Sequence, residues 1–491
     1  MTVRSYEFDV IVAGCGIAGL SAAVSAQELG ARVAILERAP IDERGGNTRY
    51  TEAYLRMKSE SEVTDDFESH LADNAGGHLD PSMTAETTRP YAQWPSIVKA
   101  LSFADPELIS ILANGAGPTI AWLKRFGIRF DFLPTHFLTQ FQPLLMPVGG
   151  GLAMIEALAA DAQRKGTSFF YETTALSLFQ DESGIVTGLR AVNKANEPIR
   201  FNAKSVILAS GGFEGNAEMQ TRYIGPRAVF LRPSARGGYY NKGEGIQMAL
   251  EIGAAPCGDF ASYHPQPIDP RSGRSEPVVL IYPYGILVNL EGRRFTDEAS
   301  GTIDLVHESV TRQIIRQTNG IAYVILDNKV NDIPNKHIAV RTDQPPITAA
   351  SLPELAEKLK ISAVSLLETV GSYNKACNDD GTFKPSVLDA LATQGLTPPK
   401  SNWARPIDHP PYFAYPVISS IVFTFGGLKV NGRAQVLNKD GAAISGLYAA
   451  GETIGFYYRN YTGATSVLKG TVFGRIAGID AAQRVLGGKA A

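Results

Sequence analysis

Apolar runs that end in small residues recur three times along this chain of 491 residues. The first, Phe8–Ala13, reads as a buried strand, because it is a short continuous apolar segment bounded by turn residues. Gly14-Cys15-Gly16 follows as a turn, and Ile17-Ala18-Gly19-Leu20-Ser21-Ala22-Ala23 opens a helix that continues to about Leu29. After Gly30 a second strand, Val33–Leu36, is closed by Glu37. Strand, glycine turn, helix, strand and acid in this order define a dinucleotide-binding unit. Gly14 allows the tight turn, Gly16 lets the backbone approach a pyrophosphate, and Gly19 lets the helix pack on the strand. Glu37 lies about 20 residues on, where a carboxylate accepts ribose hydroxyls. The unit alone does not choose between FAD and NAD.

The same theme returns at Ser205–Phe213 and at Gly446–Glu452. These segments lie beside the first strand only if the chain returns to its opening domain near its end. The pattern therefore predicts a nucleotide domain split in sequence, at 1–258 and 423–491, around an insert at 259–422. Between the strands, the helical pattern around Thr119–Phe126 closes on Gly127, and Gly149-Gly150-Gly151 opens another helix. Gly243–Ala249 and Ser351–Lys375 also read as helical, whereas the Pro-rich Leu396–Tyr415 reads as an irregular connection. Gly45-Gly46-Asn47-Thr48 suits a backbone loop around phosphate or ribityl groups, and equally a plain surface turn.

Composition narrows the partners. The formal net charge is −3 with no Lys/Arg-rich block, which argues against nucleic acid and anionic membrane. Cys15, Cys257 and Cys377 are scattered, so no metal, iron–sulfur or haem attachment motif is formed. Cys15, inside the glycine turn, reads as a packing residue. No run approaches the 18 apolar residues of a membrane span, so no membrane insertion and a cytoplasmic location are expected.

Several motifs in order resemble the FAD-binding family of fumarate reductase and succinate dehydrogenase flavoproteins, which includes 3-ketosteroid Δ1-dehydrogenases and tricarballylate dehydrogenases. They are the opening Gly-x-Gly-x-x-Gly, Gly45–Thr48, Ala209-Ser210-Gly211-Gly212-Phe213 and Ile286–Asn289 with Arg294-Phe295-Thr296-Asp297-Glu298. Gly426–Val430, Gly446–Glu452 and Thr465–Gly478 complete the set. The resemblance implies an α/β fold, a Rossmann-type FAD-binding domain interrupted by an α+β capping domain, and it selects FAD over NAD. It assigns the cofactor to Gly14, Gly16, Ala18, Gly19, Glu37 and Arg38, with Gly45, Gly46, Asn47 and Thr48. Ala175, Ala209, Ser210, Gly211 and Gly451 join them; Glu452 is expected on the ribityl chain, and Thr465-Ser466-Val467 at the flavin O2 edge. Oriented N–H groups there stabilise the negative charge of a reduced flavin. No histidine occurs in Arg49-Tyr50-Thr51, where relatives attach FAD covalently, so non-covalent binding is expected.

The same resemblance implies oxidation or reduction of a C–C bond beside a carbonyl or carboxylate, with a separate electron acceptor. Three departures disfavour fumarate reduction proper. Thr302 stands where fumarate reductases carry an arginine, Phe423 where they carry a histidine, and Tyr461 where an arginine follows Asn460. Tyr461-Thr462-Gly463 resembles the Tyr-Ala-Gly of ketosteroid dehydrogenases, and Phe423–Gly427 with Phe456–Tyr461 resembles tricarballylate dehydrogenases. The catalytic candidates are Tyr461, Tyr282, Tyr284, His264 and Arg294. Arg49, Tyr50, His264, Phe425, Gly427, Tyr458, Arg459 and Tyr461 are the substrate-binding candidates. The expected activity is an FAD-dependent dehydrogenase that desaturates the α,β bond of a small carboxylic or oxo acid. The alternatives are a ketosteroid-type 1,2-desaturase, an enoate reductase like fumarate reductase, and a flavin-carrying electron-transfer subunit.

Overall fold

A computed structural model describes residues 3–76, 80–132, 144–377 and 382–487. Its larger sheet has eight strands, six of them in the order Gln435–Leu437, Ala443–Ala449, Pro198–Leu208, Arg4–Ala13, Val33–Leu36 and Ser168–Phe170. The three returning segments are thus adjacent and parallel: Val206 pairs with Ile11 on one side and Leu447 on the other. Val10–Val12, Ala34, Ile35 and Val206–Leu208 are wholly buried, as befits parallel strands covered on both faces. A hairpin of Thr173–Gln180 and Val186–Asn193 extends the sheet from Pro198–Leu208.

The helix Ile17–Glu28 is buried from Ile17 to Ala26 because it lies under the last helix, Ser466–Gly487. Gly474 and Gly478 make the close approach possible. A Cβ at Gly474 would lie 2.4 Å from the Ala18 carbonyl oxygen, and one at Gly478 would lie 2.1 Å from that of Ala22. This packing carries the N-terminus of the last helix to the same sheet edge as the Gly14 turn.

A second sheet orders Tyr263–Ile268, Tyr412–Thr424, Ile321–Leu326 and Ile286–Val288. Ile347–Ala349 and Arg232–Pro233 also pair with Tyr412–Thr424, so the sheet draws one short strand from well before residue 259. Alternation along these strands separates two apolar layers. Leu287, Val324 and Leu326 face one, and Ile286, Val288 and Ile325 face the other. The stretch that reads as irregular becomes strand from Tyr412 onward, because its alternating residues pair with Ile321–Leu326. The far end of that strand sets Phe423 opposite His264, with a register shift between His264 and Pro265. The helix Ile303–Ile314 brings Glu308 to the same place. No helix among the described residues is long and apolar enough to cross a membrane.

Candidate flavin and substrate site

A cavity of about 1040 Å³ runs from the carboxyl ends of the parallel strands to the strand Tyr263–Ile268 and the helix Ile303–Ile314 of the second sheet. Ligands bind at this edge of open α/β sheets because strand ends and helix N-termini converge there. Gly14, Gly16, Ala18, Glu37, Arg38 and Gly45–Thr48 line one end. Ala175, Ala209, Ser210, Gly211, Gly451, Glu452, Ser466 and Val467 also line the cavity. Gly14 has φ +109, and a Cβ there would lie 2.2 Å from the carbonyl oxygen of Ala209. Gly19 does not line the cavity. Its missing side chain lets the helix seat on the turn, where a Cβ would lie 2.0 Å from Gly14 O.

The polar groups at this end fit a dinucleotide. Asn47 Oδ1 and Ser210 Oγ are buried without hydrogen-bond partners. Such orphaned atoms are costly unless a ligand satisfies them. The Glu37 carboxylate accepts from the backbone N–H groups of Cys15 and Ala39, both at 2.8 Å. It thereby holds the glycine turn while lining the cavity. Arg38 is ion-paired to Glu244 at the cavity wall. The Cys15 thiol is buried, and burial together with the Glu37 charge pushes it well above the ordinary thiol range, so it packs and does not act as a nucleophile.

Farther along, Asn47 Nδ2 donates to Glu214 Oε1 at 2.6 Å and to the Val422 carbonyl at 3.0 Å. Asn241 donates to the same Glu214 oxygen at 2.7 Å. Glu452 Oε1 accepts from Thr424 N at 2.7 Å and Thr424 Oγ1 at 2.9 Å. Burial, then the neighbouring Glu452, pushes Glu214 well above the usual carboxylate range. Burial raises Glu452 too.

At the opposite end His264 Nδ1 bonds Glu308 Oε1, both side chains less than a tenth exposed. Burial would raise Glu308, but the hydrogen bond from His264, with the Arg312 guanidinium nearby, outweighs it and holds the carboxyl below its usual range. Glu308 Oε2 also accepts from the Tyr461 N–H at 3.3 Å. A carboxylate on Nδ1 selects the imidazole tautomer whose Nε2 is an acceptor. His264 therefore has the arrangement of an oriented general base, ringed by Phe423 and Tyr461 with centroids at 5.4 and 4.6 Å.

Tyr461 lines the cavity, but its phenol is turned onto the start of the last helix. Its oxygen accepts from the N–H groups of Thr465 and Ser466, each at 3.0 Å, and its O–H reaches Ser466 Oγ at 3.0 Å. Two of the donors expected at the flavin O2 edge are therefore taken by Tyr461. Thr465 itself faces inward, bonded to the Thr462 carbonyl at 2.6 Å and Tyr457 Oη at 2.9 Å. Burial raises the Tyr461 phenol despite these bonds, so it serves as a fixed neutral group and not as a base at neutral pH.

Nine of the catalytic and substrate-binding candidates lie outside the cavity. Tyr282 is wholly buried in the second sheet's core with no hydrogen-bond partner for its hydroxyl, and burial raises it far above the phenol range. Tyr284 packs against Trp403 and Phe383 and donates to the Pro385 carbonyl. Arg294 bonds Glu298 at 2.6 Å and the carbonyls of Pro398 and Pro399 at 2.8 and 3.0 Å. Glu298 accepts from Leu287 N at 2.9 Å, and Lys400 caps Pro283 and Gly285, so this group ties connections to the sheet. Arg49 pairs with Glu156 at 2.9 Å, and Tyr50 borders a separate shallow depression. Tyr458 Oη is tied to Gly258 N at 3.1 Å and Ser102 Oγ at 3.1 Å, while Arg459 reaches the Gly76 carbonyl at 3.4 Å. Phe425 is packed in the core, and Gly427 pairs with Cys257. Apolar faces, carboxylates and backbone groups claim most of these side chains; Gly427 has none, and the ladder claims its backbone.

Glu308, Gln266 and Lys469 are among the lining residues that escaped sequence reasoning. Glu308 is recognisable only by its place beside His264, although Asp304, Glu308 and Arg312 at spacing four mark one polar helix face. Gln266, two residues past His264 on the same strand, lines the cavity with a buried, unpartnered Oε1. Lys469, one turn into the last helix, also lines it.

Comparison with known proteins agrees with this geometry. The sequence profile of the FAD binding domain family matches residues 9–468, and the chain belongs to that family. It is 29% identical to urocanate reductase of Eggerthella lenta over 508 residues, covering 97% of this chain and 75% of that protein. It is 28% identical to NADH:fumarate oxidoreductase of Klebsiella pneumoniae, covering 98% of this chain but only 48% of that protein, about half its length. The fold matches an open flavocytochrome c3 fumarate reductase with TM-score 0.75 at 24% identity, covering 98% of this chain and 79% of that one. FAD is therefore the cofactor.

Proposed function

We propose that this protein is an FAD-dependent dehydrogenase that desaturates the bond α,β to the carboxylate or ketone of a small organic molecule. The observation that carries the reading is the buried His264–Glu308 pair facing the cavity next to Tyr461 and the helix start at Ser466. Bound FAD supplies the hydride acceptor. His264 Nε2 takes the α proton, Glu308 stabilises the imidazolium that forms, and Gln266 offers the carbonyl oxygen an amide. Phe423 and Tyr457 exclude water from the reacting carbons. The desaturating direction is supported by Thr302, Phe423 and Tyr461, which replace the acid and clamps of the reductases that the chain resembles. Electrons leave to a separate acceptor, a role for which the scattered cysteines supply no internal relay.

Anaerobic mixing tests this. A saturated acid or ketone should bleach the flavin absorbance. If none does while enoates reoxidise the reduced protein, the direction is wrong. His264→Ala should slow bleaching by roughly 10²–10⁴, the usual worth of a positioned acid–base group, with flavin content unchanged. An unaltered rate would remove His264 from the chemistry.

A further inference from the structure

Among the described residues three lysines are almost wholly buried, and they differ in what they meet. Lys429 lies 3.2 Å from the Asp105 carboxylate. Lys400 donates to the carbonyls of Pro283 and Gly285 at 2.6 and 2.9 Å, with Glu298 at 4.0 Å. Lys469 has neither arrangement. Its Nζ makes one hydrogen bond, to the Ile454 carbonyl at 3.2 Å, and lies over the rings of Tyr457 and Phe456 at 4.8 and 5.4 Å. No carboxylate among the described residues comes within ion-pair distance of it. An ammonium has three donors, so two are left without a protein partner. Of the three lysines only Lys469 lines the cavity, between Glu452 and the helix start at Ser466 and Val467.

A buried amine in that position is expensive when charged and uncompensated. The missing counter-charge has an obvious source if FAD occupies the cavity, because two-electron reduction adds negative charge to the flavin. We propose that Lys469 is the proton-binding counter-charge of the reduced cofactor. The neutral amine takes one proton from solvent as two electrons and a proton enter the flavin, and its ammonium then raises the midpoint potential. Charge near the flavin ring is one of the means by which a protein tunes this cofactor. Burial pushes the lysine down to about 7, opposed by the charges of Glu452 and Cys257, so the amine is poised to gain a proton near neutral pH. Tyr457, whose ring lies beneath the amine, is pushed well above the phenol range by burial and then by the neighbouring Tyr461.

The inference rests on the FAD reading but not on the identity of the substrate, and its test uses neither substrate nor turnover. The midpoint potential of the holoprotein is measured against redox dyes from pH 5.5 to 9, for the wild type, Lys469→Met and Lys469→Arg. The wild type should take up one extra proton per two electrons on the alkaline side of neutrality, giving a steeper pH dependence there. Lys469→Met should lose that step and reduce at least tenfold less favourably at pH 6, a drop of about 30 mV for a two-electron couple. Lys469→Arg, permanently charged, should keep the high potential but lose the extra proton. Equal potentials and slopes in the wild type and Lys469→Met would overturn the proposal. Should Lys469→Met shed its FAD, a wild-type slope without a break across the range overturns it equally. A wild type that holds no FAD would defeat the cofactor reading instead.

Discussion

The two ends of the cavity are built by different means. The cofactor end is made of backbone: Gly14, Gly16, Gly45 and Gly46 bring main chain to a ligand, and few side chains intrude. The substrate end is made of side chains in pairs, His264 with Glu308 and Tyr461 with Ser466, each joining distant parts of the chain or separate turns of it. The cradle tolerates no added atom at Gly14, where a Cβ would lie 2.2 Å from the Ala209 carbonyl oxygen, but is indifferent to the reaction. A pair of side chains tolerates substitution sterically but fixes the chemistry. The cofactor end should therefore fail as structure and the substrate end as rate.

The largest effect expected is at Gly14. Gly14→Val forces a β-branched residue into φ +109 and drives Cβ onto the Ala209 carbonyl at 2.2 Å. The protein should purify without flavin absorbance, or fail to fold. Retention of FAD with a normal spectrum would show that the cradle yields more than its contacts indicate.

Arg294 sharpens the comparison next, because it came from the same motif logic as His264 but belongs to the scaffold. Its ion pair with Glu298 is buried, at 4% and 0% side-chain exposure. Removing one partner of such a pair typically costs about 3–5 kcal/mol, since the other is left charged and unpaired. Lys400 at 4.0 Å from Glu298 moderates the loss in this case. Arg294→Ala should lower the melting temperature measurably while turnover per bound flavin stays within a fewfold of wild type. A rate loss of 10²-fold or more at unchanged melting temperature would return Arg294 to the catalytic residues.

The contrast also explains what was legible in the sequence. Gly14, Glu37 and Gly451–Glu452 were readable because local rules govern them: a strand, a turn and a helix start lie within a few residues of each other. The adjacency of the three strands was readable for a related reason, since an apolar strand ending in small residues is a local signature repeated at 205 and 446. His264 was found through its motif. Glu308 was not, because its role arises only when the helix Ile303–Ile314 packs on the strand Tyr263–Ile268, a tertiary fact that helix periodicity does not encode. The tyrosines failed for the opposite reason. Tyr282, Tyr284 and Tyr458 carry the chemistry of a pocket but the area of a core residue, and burial of the ring decided their placement. Tyr461 entered the cavity, yet the N-terminus of the last helix captured its oxygen.

The smallest effect tests that last point at Tyr282. Its hydroxyl is buried among apolar groups without a hydrogen-bond partner. An unsatisfied buried hydroxyl costs about 1–3 kcal/mol in desolvation, so its removal at constant ring shape should be neutral or stabilising. Tyr282→Phe should leave flavin content and bleaching rate unchanged and hold or raise the melting temperature. Tyr282 is one of the catalytic candidates in the sequence, and a catalytic base could not be deleted at so little cost. A large fall in rate would mean that the second sheet moves enough during turnover to present Tyr282 to the cavity. The two ends would then differ in mobility as well as in construction. Unchanged kinetics would leave His264 as the proton-transfer group, with Tyr461 fixed beside it.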